Sequence, residues 1–278
     1  MAVTADAAVA EAEGGAARPS RRGDLLGRVW PALLVGVVLL GAWQLVATTG
    51  LLGRDVISEP TRVAVRVWQT LGGTPMYDKT IWVNIAVTAK AVCIGYLIGA
   101  AAGVVAGYVL GRVPFVAAVF QPYIRALAAV PKIALVPLLV LVFGIGVKAE
   151  TANVVLMVFI MVVFSTFSGI AAVRADLVNL ARIMGAPRFT VATRIVVPAA
   201  LPAIMSGLRA GVPFAFIGAI TSEFIASSSG LGWLMQRATA QYDPTGLFTG
   251  LFYLTVLVWV LVQVLRVVES RLLRWQRR

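Results

Sequence analysis

Residues 179–202, NLARIMGAPRFTVATRIVVPAALP, separate two long apolar runs and carry Arg182, Arg188 and Arg194 with no acid among them. Leu177, Leu180, Ala181 and Met184 recur at i, i+3, i+4 and i+7, which predicts a short helix with one apolar face. Gly185 follows the last of these positions and is expected to be a left-handed C-cap, needing a positive φ and close packing. Pro187 suits the first turn of a second short helix through Phe189, Val191 and Ile195, which Pro198 and Pro202 are expected to end. A helical bracket with an apolar face ringed by arginines calls for a partner to cover it.

The surroundings are those of a membrane protein. Of the 278 residues 60% are apolar and 13% are charged, against roughly 25% charge in an ordinary soluble domain. A helix needs about 20 apolar residues to cross a hydrocarbon core. Residues 29–53, 91–111, 151–173 and 247–265 meet this with no charged side chain, and 204–226 carries only Arg209 and Glu223 near its two ends. Residues 113–147 form a longer run broken by proline, which makes six crossings in all.

The net charge of +12 is distributed by side. With the N-terminus inside, the inner segments hold fourteen arginines, at 18, 21, 22, 28, 112, 174, 182, 188, 194, 266, 271, 274, 277 and 278. The outer segments hold six cations, Arg54, Arg62, Arg66, Lys79, Lys148 and Arg237, mixed with acids. This bias places both termini in the cytoplasm. It also sets aside nucleic acid as a partner, because the arginines sit in short loops and at span ends. Residues 1–23 hold almost no large apolar side chain and are expected to be a disordered cytoplasmic tail. The apolar run after them exceeds a cleaved signal and reads as a retained anchor helix.

The chain has one cysteine, Cys93, and no histidine. Disulfide frameworks, Cys/His zinc sites and Ser/His or Cys/His nucleophile pairs are thereby removed, and no metal site is expected. No Gly-x-x-x-x-Gly-Lys-Ser/Thr loop occurs, so the chain cannot cradle ATP phosphates by itself. A free-standing channel or secondary transporter is the alternative reading, although it gives no reason for the bracket.

Other signals bear on packing and on a path. Gly95, Gly99, Gly103, Gly107 and Gly111 put a smooth stripe on one helical face, suited to close packing within one subunit or to dimerisation, the first being preferred. In the third run Pro122, Pro131 and Pro137 each remove a backbone donor, and Arg125 and Lys132 sit seven residues apart. They line a path or, alternatively, lie at the interface. Ser222 and Glu223 are the further path candidates. Residues 50–79 read as an outer excursion in which Val63, Val67 and Leu71, at helical spacing opposite Arg62, Arg66 and Gln69, mark a short helix on the outer surface, and 227–243 as an outer loop with a short helix.

At residues 179–198 the sequence resembles the signature of the permease subunits of ATP-binding-cassette importers: Glu-Ala-Ala, three residues, Gly, nine residues, Ile, one residue, Leu-Pro. Ala181, Gly185, Ile195 and Pro198 match it, whereas Asn179, Leu180 and Val197 stand in place of Glu, Ala and Leu. RALAAVPKIALVPLLVLVFGIG at 125–146, residues 185–211 and EFIASSSGLGWLM at 223–235 are similar to the nitrate/sulfonate/taurine-type branch. The resemblance covers roughly residues 55–270. It implies an all-helical, six-span permease domain over 24–278, in the cytoplasmic membrane, that is a transport subunit and not an enzyme. It implies further that the loop at about 175–200, through Asn179, Leu180, Ala181, Arg182, Gly185, Ala186, Arg188, Ile195 and Pro198, couples to separate ATPase subunits that bind ATP and magnesium. An external substrate-binding protein and a second permease copy, making a homodimer, complete the expected assembly. The cargo is expected to be a small solute such as a sulfonate, taurine or nitrate.

Overall fold

The computed structural model describes residues 23–49 and 57–272, and its regular elements there are helices, apart from one isolated bridge between Met76 and Lys79. The expected tail lies, except for Gly23, outside the described residues, as do Arg274, Arg277 and Arg278. The helices are α1 (Gly23–Thr49), α2 (Pro60–Leu71), α3 (Ile81–Arg112), α4 (Pro114–Ala129), α5 (Val136–Phe143), α6 (Val147–Ala171), α7 (Ala175–Ile183), α8 (Arg188–Val191), α9 (Val197–Ala226), α10 (Leu231–Ala240) and α11 (Pro244–Leu272).

The chain divides into two units, the first ending at Thr61 and the second starting at Arg62. In the first, α1 is 27 residues long and exposes Val37, Leu39 and Leu45, as a helix solvated by hydrocarbon would. The Gln44 side-chain carbonyl accepts from the Thr61 backbone N–H at 3.4 Å.

The second unit is organised around α3, α6 and α9. Glycines 95, 99, 103, 107 and 111 of α3 rest on Val154, Val158, Val162, Thr166 and Ile170 of α6, both series advancing by four, so the two helices run parallel in close contact. The stripe thus serves packing inside one subunit, where small residues let backbones approach. Helix α9 runs antiparallel to α6. Asn153 Nδ2 donates to the Gly218 carbonyl at 2.8 Å, and Ser165 Oγ donates to the Ala203 carbonyl at 2.9 Å. The Tyr96 hydroxyl ties α3 to α9 by donating to the Leu208 carbonyl at 2.7 Å.

Among the described residues four helical stretches are long and apolar enough to cross a membrane, α3, α6, the continuous stretch Arg188–Ala226 and α11, and the bent third run makes a fifth if its two parts are one span. The third run differs from a plain crossing. Its two parts, Pro114–Ala129 and Lys132–Phe143, meet at 91°. Only Pro131 makes that break, because the residue before a proline is driven to extended backbone and Val130 sits at φ −63, ψ 130. Pro122 stays inside α4 and Pro137 enters α5 in its first turn, where its missing N–H costs nothing.

Pro198 and Pro202 do not end the helix that begins at Arg188. A π turn at Ala192–Val196 widens the backbone ahead of Pro198, with the Val197 N–H reaching back five residues to the Ala192 carbonyl. The chain then continues through Pro202 and Pro213 to Ala226. Such a bulge accommodates a proline that an unbroken α ladder would reject.

Candidate functional site

The bracket forms as expected in outline. Helix α7 ends in a left-handed residue, Gly185 at φ +80, with the Ala186 N–H bonded to the Ala181 carbonyl at 3.0 Å and the Gly185 N–H to the Arg182 carbonyl at 3.0 Å. This is the paired closure of a Schellman motif. A Cβ at Gly185 would meet nothing within 4 Å, so the expected close packing is absent and the glycine is held there by its φ. Pro187 caps α8 with an extended backbone, so it stands before the helix and not within its first turn.

The anticipated apolar stripe splits in two. Val178, Val191, Val196 and Ala200 are buried in a cluster with Ile170 and Ile204, with Ala181 and Ala186 packed against it. Leu177 and Leu180 are exposed, and Ile183, Met184 and Phe189 are 83%, 79% and 78% exposed. Sequence reasoning missed Val178 as the inward anchor and Ile183 as an outward one. Their one-residue offset from the stripe was the available signal, masked because both sides of α7 carry apolar residues. Asn179, Arg182, Arg188 and Arg194 are exposed beside this patch, and Ile195 and Pro198 are half-buried. The nearby acid Asp176 is within 3.6 Å of Arg174. Exposed apolar side chains edged by exposed cations are what a docking element presents.

At the other end of α9 a second constellation appears. Helix α10 begins against α3 and α9, and the backbone N–H groups of its N-cap Gly230 and of its first two residues all find acceptors. The Gly230 N–H donates to Asn84 Oδ1 at 2.9 Å, the Leu231 N–H to Thr88 Oγ at 2.9 Å, and the Gly232 N–H to Glu223 Oε2 at 2.5 Å. Thr88 Oγ in turn donates to Glu223 Oε1 at 2.6 Å. A carboxylate at a helix N-terminus gains from the donors left free by the first turn and from the positive end of the helix dipole. Glu223 and Ser222 are each 1% exposed, so this structure places both path candidates inside the subunit, where Glu223 latches α10 down. We expect Glu223→Ala to destabilise the fold by about 3 kcal/mol, since it strands charge-assisted donors in the interior. Thermal unfolding in detergent checks this, and an unchanged midpoint would remove the latching role.

The outer face is completed by a polar network. Asp243 accepts from the Arg66 guanidinium at 3.1 Å, the Tyr77 hydroxyl at 2.9 Å and the Gly246 N–H at 2.9 Å. Arg237 pairs with Asp78 at 3.2 Å, while Lys79 and Arg237 stand 5.6 and 5.7 Å from the centroid of the Trp233 ring. Burial alone would raise the Asp243 carboxyl, but the Gly246 N–H, the Tyr77 hydroxyl and Arg66 outweigh it and hold the group below the usual aspartate range. Burial, with the bond to Asp243 and its charge, pushes the Tyr77 hydroxyl above its ordinary value. A depressed folded value means that Asp243 contributes stability above the unfolded aspartate range and loses it as pH falls through the folded value. Unfolding midpoints across an acid series should therefore fall at that low end, and Asp243→Asn should flatten the decline.

Arg125 is exposed, with a guanidinium nitrogen 3.3 Å from Gln121 Oε1. It lines, with Gln121, Phe164, Phe167 and Ser168, a cavity of about 170 Å³ between α3, α4 and α6. Lys132 is half-buried and donates to the Ala128 carbonyl at 2.9 Å. The structure therefore does not gather Arg125, Lys132, Ser222 and Glu223 into one site. Arg209, near the inner end of α9, pairs with Glu269 of α11 at 3.3 Å.

Comparison with known proteins fits this geometry. The family model described as binding-protein-dependent transport system inner membrane component matches residues 99–277. A probable ABC transporter permease protein of Brucella abortus is 30% identical over 88% of this chain and 95% of its own. The taurine transport system permease protein of Escherichia coli is 28% identical over 86% of each chain. The riboflavin transport system permease protein of Chloroflexus aurantiacus is 29% identical over 89% of this chain and 91% of its own. Among solved structures, a chain of an amino acid ABC transporter superposes with a TM-score of 0.56 at 18% identity, covering 74% of this chain and 98% of that one. This last likeness concerns the fold alone.

Proposed function

Because this chain belongs to the family of binding-protein-dependent transport system inner membrane components, and is thus a multi-pass permease subunit of an ABC importer in the cell membrane, we propose that it moves a small anion such as a sulfonate, taurine or nitrate. The taurine-transport relative supports a cargo bearing a sulfonate group, and the cations Arg125 and Lys132 on the bent third run suit such a group, although the riboflavin relative shows that cargo varies among similar chains.

The observation that carries the mechanism is the exposed apolar and basic face of α7 and α8. It faces the cytoplasm, as the arginine bias directs, and docks on an ATPase subunit that binds ATP and magnesium on its behalf. Asn179, Leu180, Ala181, Arg182, Gly185, Ala186, Arg188, Ile195 and Pro198 form the coupling element. Of these, Leu180, Arg182 and Arg188 touch the partner, Gly185 and Ala186 set the turn, and Ala181, Ile195 and Pro198 hold the bracket to the span bundle. Two identical permease copies enclose the path. An external binding protein delivers solute to the exposed edge of α10 around Gln236 and Tyr242. ATP binding and the docked binding protein each favour the outward-facing state, and each shifts the equilibrium only by its differential affinity for that state.

Uptake by cells expressing the complete transporter tests the cargo. Labelled taurine, an alkanesulfonate and nitrate are compared with riboflavin as competitor. Uptake of at least one of the anions, reduced about tenfold by Arg125→Ala as expected for loss of one charge-assisted contact, supports the assignment. Uptake of riboflavin alone, or indifference to Arg125, contradicts it.

A further inference from the structure

Helix α2 carries more apolar surface than its packing uses. At 3.6 residues per turn its side chains fall into three strips. In the first, Val63 and Thr70 are buried, and Val67 beside them packs against Met76, Ile81, Trp233 and Tyr253. To one side lies a polar edge of Arg62, Arg66 and Gln69. To the other lies a second apolar edge of Ala64, Val65, Trp68 and Leu71, on which Val65, Trp68 and Leu71 are 56%, 79% and 41% exposed.

Two contacts with α11 fix how these edges are turned. The Tyr253 hydroxyl donates to the Val67 carbonyl at 3.0 Å and lies 2.8 Å from Thr70 Oγ1, so the buried strip of α2 rests on α11 at Tyr253. That residue is about 13 Å along the helix from Pro244, well inside an apolar span. Arg66, from the polar edge, reaches instead to Asp243 at the mouth of the same span, at 3.1 Å. The polar edge therefore faces the outer end of α11, and the second apolar edge faces back along the span, toward the end that carries Arg266 and Arg271. On that side α11 itself is turned to hydrocarbon. Leu251, Phe252 and Val256 are exposed, and the Phe252 ring stands 5.7 Å from that of Tyr253, so the exposed apolar surfaces of the two helices adjoin there.

With 12 residues α2 is too short to cross a hydrocarbon core, and Gly73, at φ +92, turns the chain away after Leu71. We propose that α2 is an interfacial anchor, with Val65, Trp68 and Leu71 immersed in the outer leaflet of the bilayer. The apolar face of such a helix sits about 5–10 Å into the boundary between headgroups and acyl chains. Trp68 takes the level that an amphipathic indole favours, while Arg62 and Gln69 face headgroups and water. A soluble partner arriving from outside meets the polar edge, whereas lipid meets the edge turned back along α11. Because Arg66 and Tyr77 both bond Asp243, the anchor also holds the turn after α2 and the start of α11 at a fixed height over the membrane. The inference rests on membrane location alone, and neither on the cargo nor on the docking of an ATPase.

Spin labels on the full-length chain in phosphatidylcholine and phosphatidylglycerol liposomes provide the test. In a Cys93→Ala background, single labels are placed through Ala64→Cys, Val65→Cys and Trp68→Cys on the apolar edge, and through Gln69→Cys on the polar edge. Tyr242→Cys, at a side chain 82% exposed, is the aqueous reference. Each monodisperse variant is read for collision with oxygen, which concentrates in hydrocarbon, and with a water-soluble nickel chelate. The ratio of oxygen to nickel collisions should be severalfold higher at 64, 65 and 68 than at 242, and at 69 close to that at 242. Ala64→Cys leaves Val65, Trp68 and Leu71 in place, so the result does not depend on removing an anchoring side chain. Nickel access at 64, 65 and 68 equal to that at 242 would put this edge in water, open to a soluble protein, and would overturn the proposal. Exclusion of both reagents from all three would overturn it as well, by showing that a second copy or another segment covers the edge.

Discussion

Gly99→Leu is expected to yield no correctly folded permease. A Cβ built at Gly99 lies 2.8 Å from the Val155 carbonyl oxygen and 3.2 Å from its Cα, so the obstruction is backbone of α6 and no rotamer change relieves it. Overpacking of this kind costs about 1–3 kcal/mol for the first carbons added. Leucine adds three more on the same line, which carries the loss to the exceptional range above about 4 kcal/mol. Gly103 faces Val162 at 2.8 Å and should behave similarly. Gly36 in α1 has nothing within 4 Å of its Cβ, and Gly36→Ala should be silent. Size-exclusion chromatography of fluorescent fusions distinguishes the cases: aggregated or degraded Gly99→Leu beside monodisperse Gly36→Ala is expected. A monodisperse, heat-resistant Gly99→Leu would show that the α3 and α6 backbones are not in the contact described.

The second large effect concerns coupling. Met184→Asp combined with Phe189→Asp should leave the chain folded and membrane-inserted, because both side chains are almost wholly exposed and contribute nothing to the buried cluster behind them. Exposed apolar anchors at the centre of an interface typically lose about 2 kcal/mol or more each when removed, and tenfold in affinity follows from about 1.4 kcal/mol. ATP-driven uptake should therefore drop at least a hundredfold, as an order of magnitude per anchor. Gly185→Asp acts differently. It strains a φ of +80 and so misaims the bracket without filling any space. Uptake equal to the unsubstituted protein in the double variant would remove docking from this face.

Why some of this was readable from sequence and some was not follows from the range of the interactions concerned. The glycine stripe and the left-handed Gly185 are decided within one or two turns, by the spacing of residues with no side chain and by the stop of an apolar pattern. The fate of Pro198 was not readable, because a single π turn upstream changes whether a proline ends a helix or is carried through, and nothing in ATRIV marks it. The division of α7 into an inward Val178 and an outward Ile183 depends on Ile170, Val196 and Ala200, which are distant in sequence or lie beyond the turn. Glu223 illustrates the same limit for the site. An acid near a span end reads as pore or gate, and only the arrival of α10 from beyond Ser227 shows what it holds. Charge bias across loops is a statement about lipid and insertion, so the sequence is a better guide to sidedness than any isolated chain can be.

The docking of the bracket on an ATPase is tested most directly by site-specific photocrosslinking in native membranes. A photoreactive residue at Met184, at Phe189, or, as a control on the span surface, at Phe115, is irradiated before mild solubilisation, and the products are identified by mass spectrometry. Adducts to an ATPase subunit from positions 184 and 189, and none from 115, are the expected result. An ATPase captured from none of the three, or equally from all of them, would contradict the bracket as the surface through which this permease is driven.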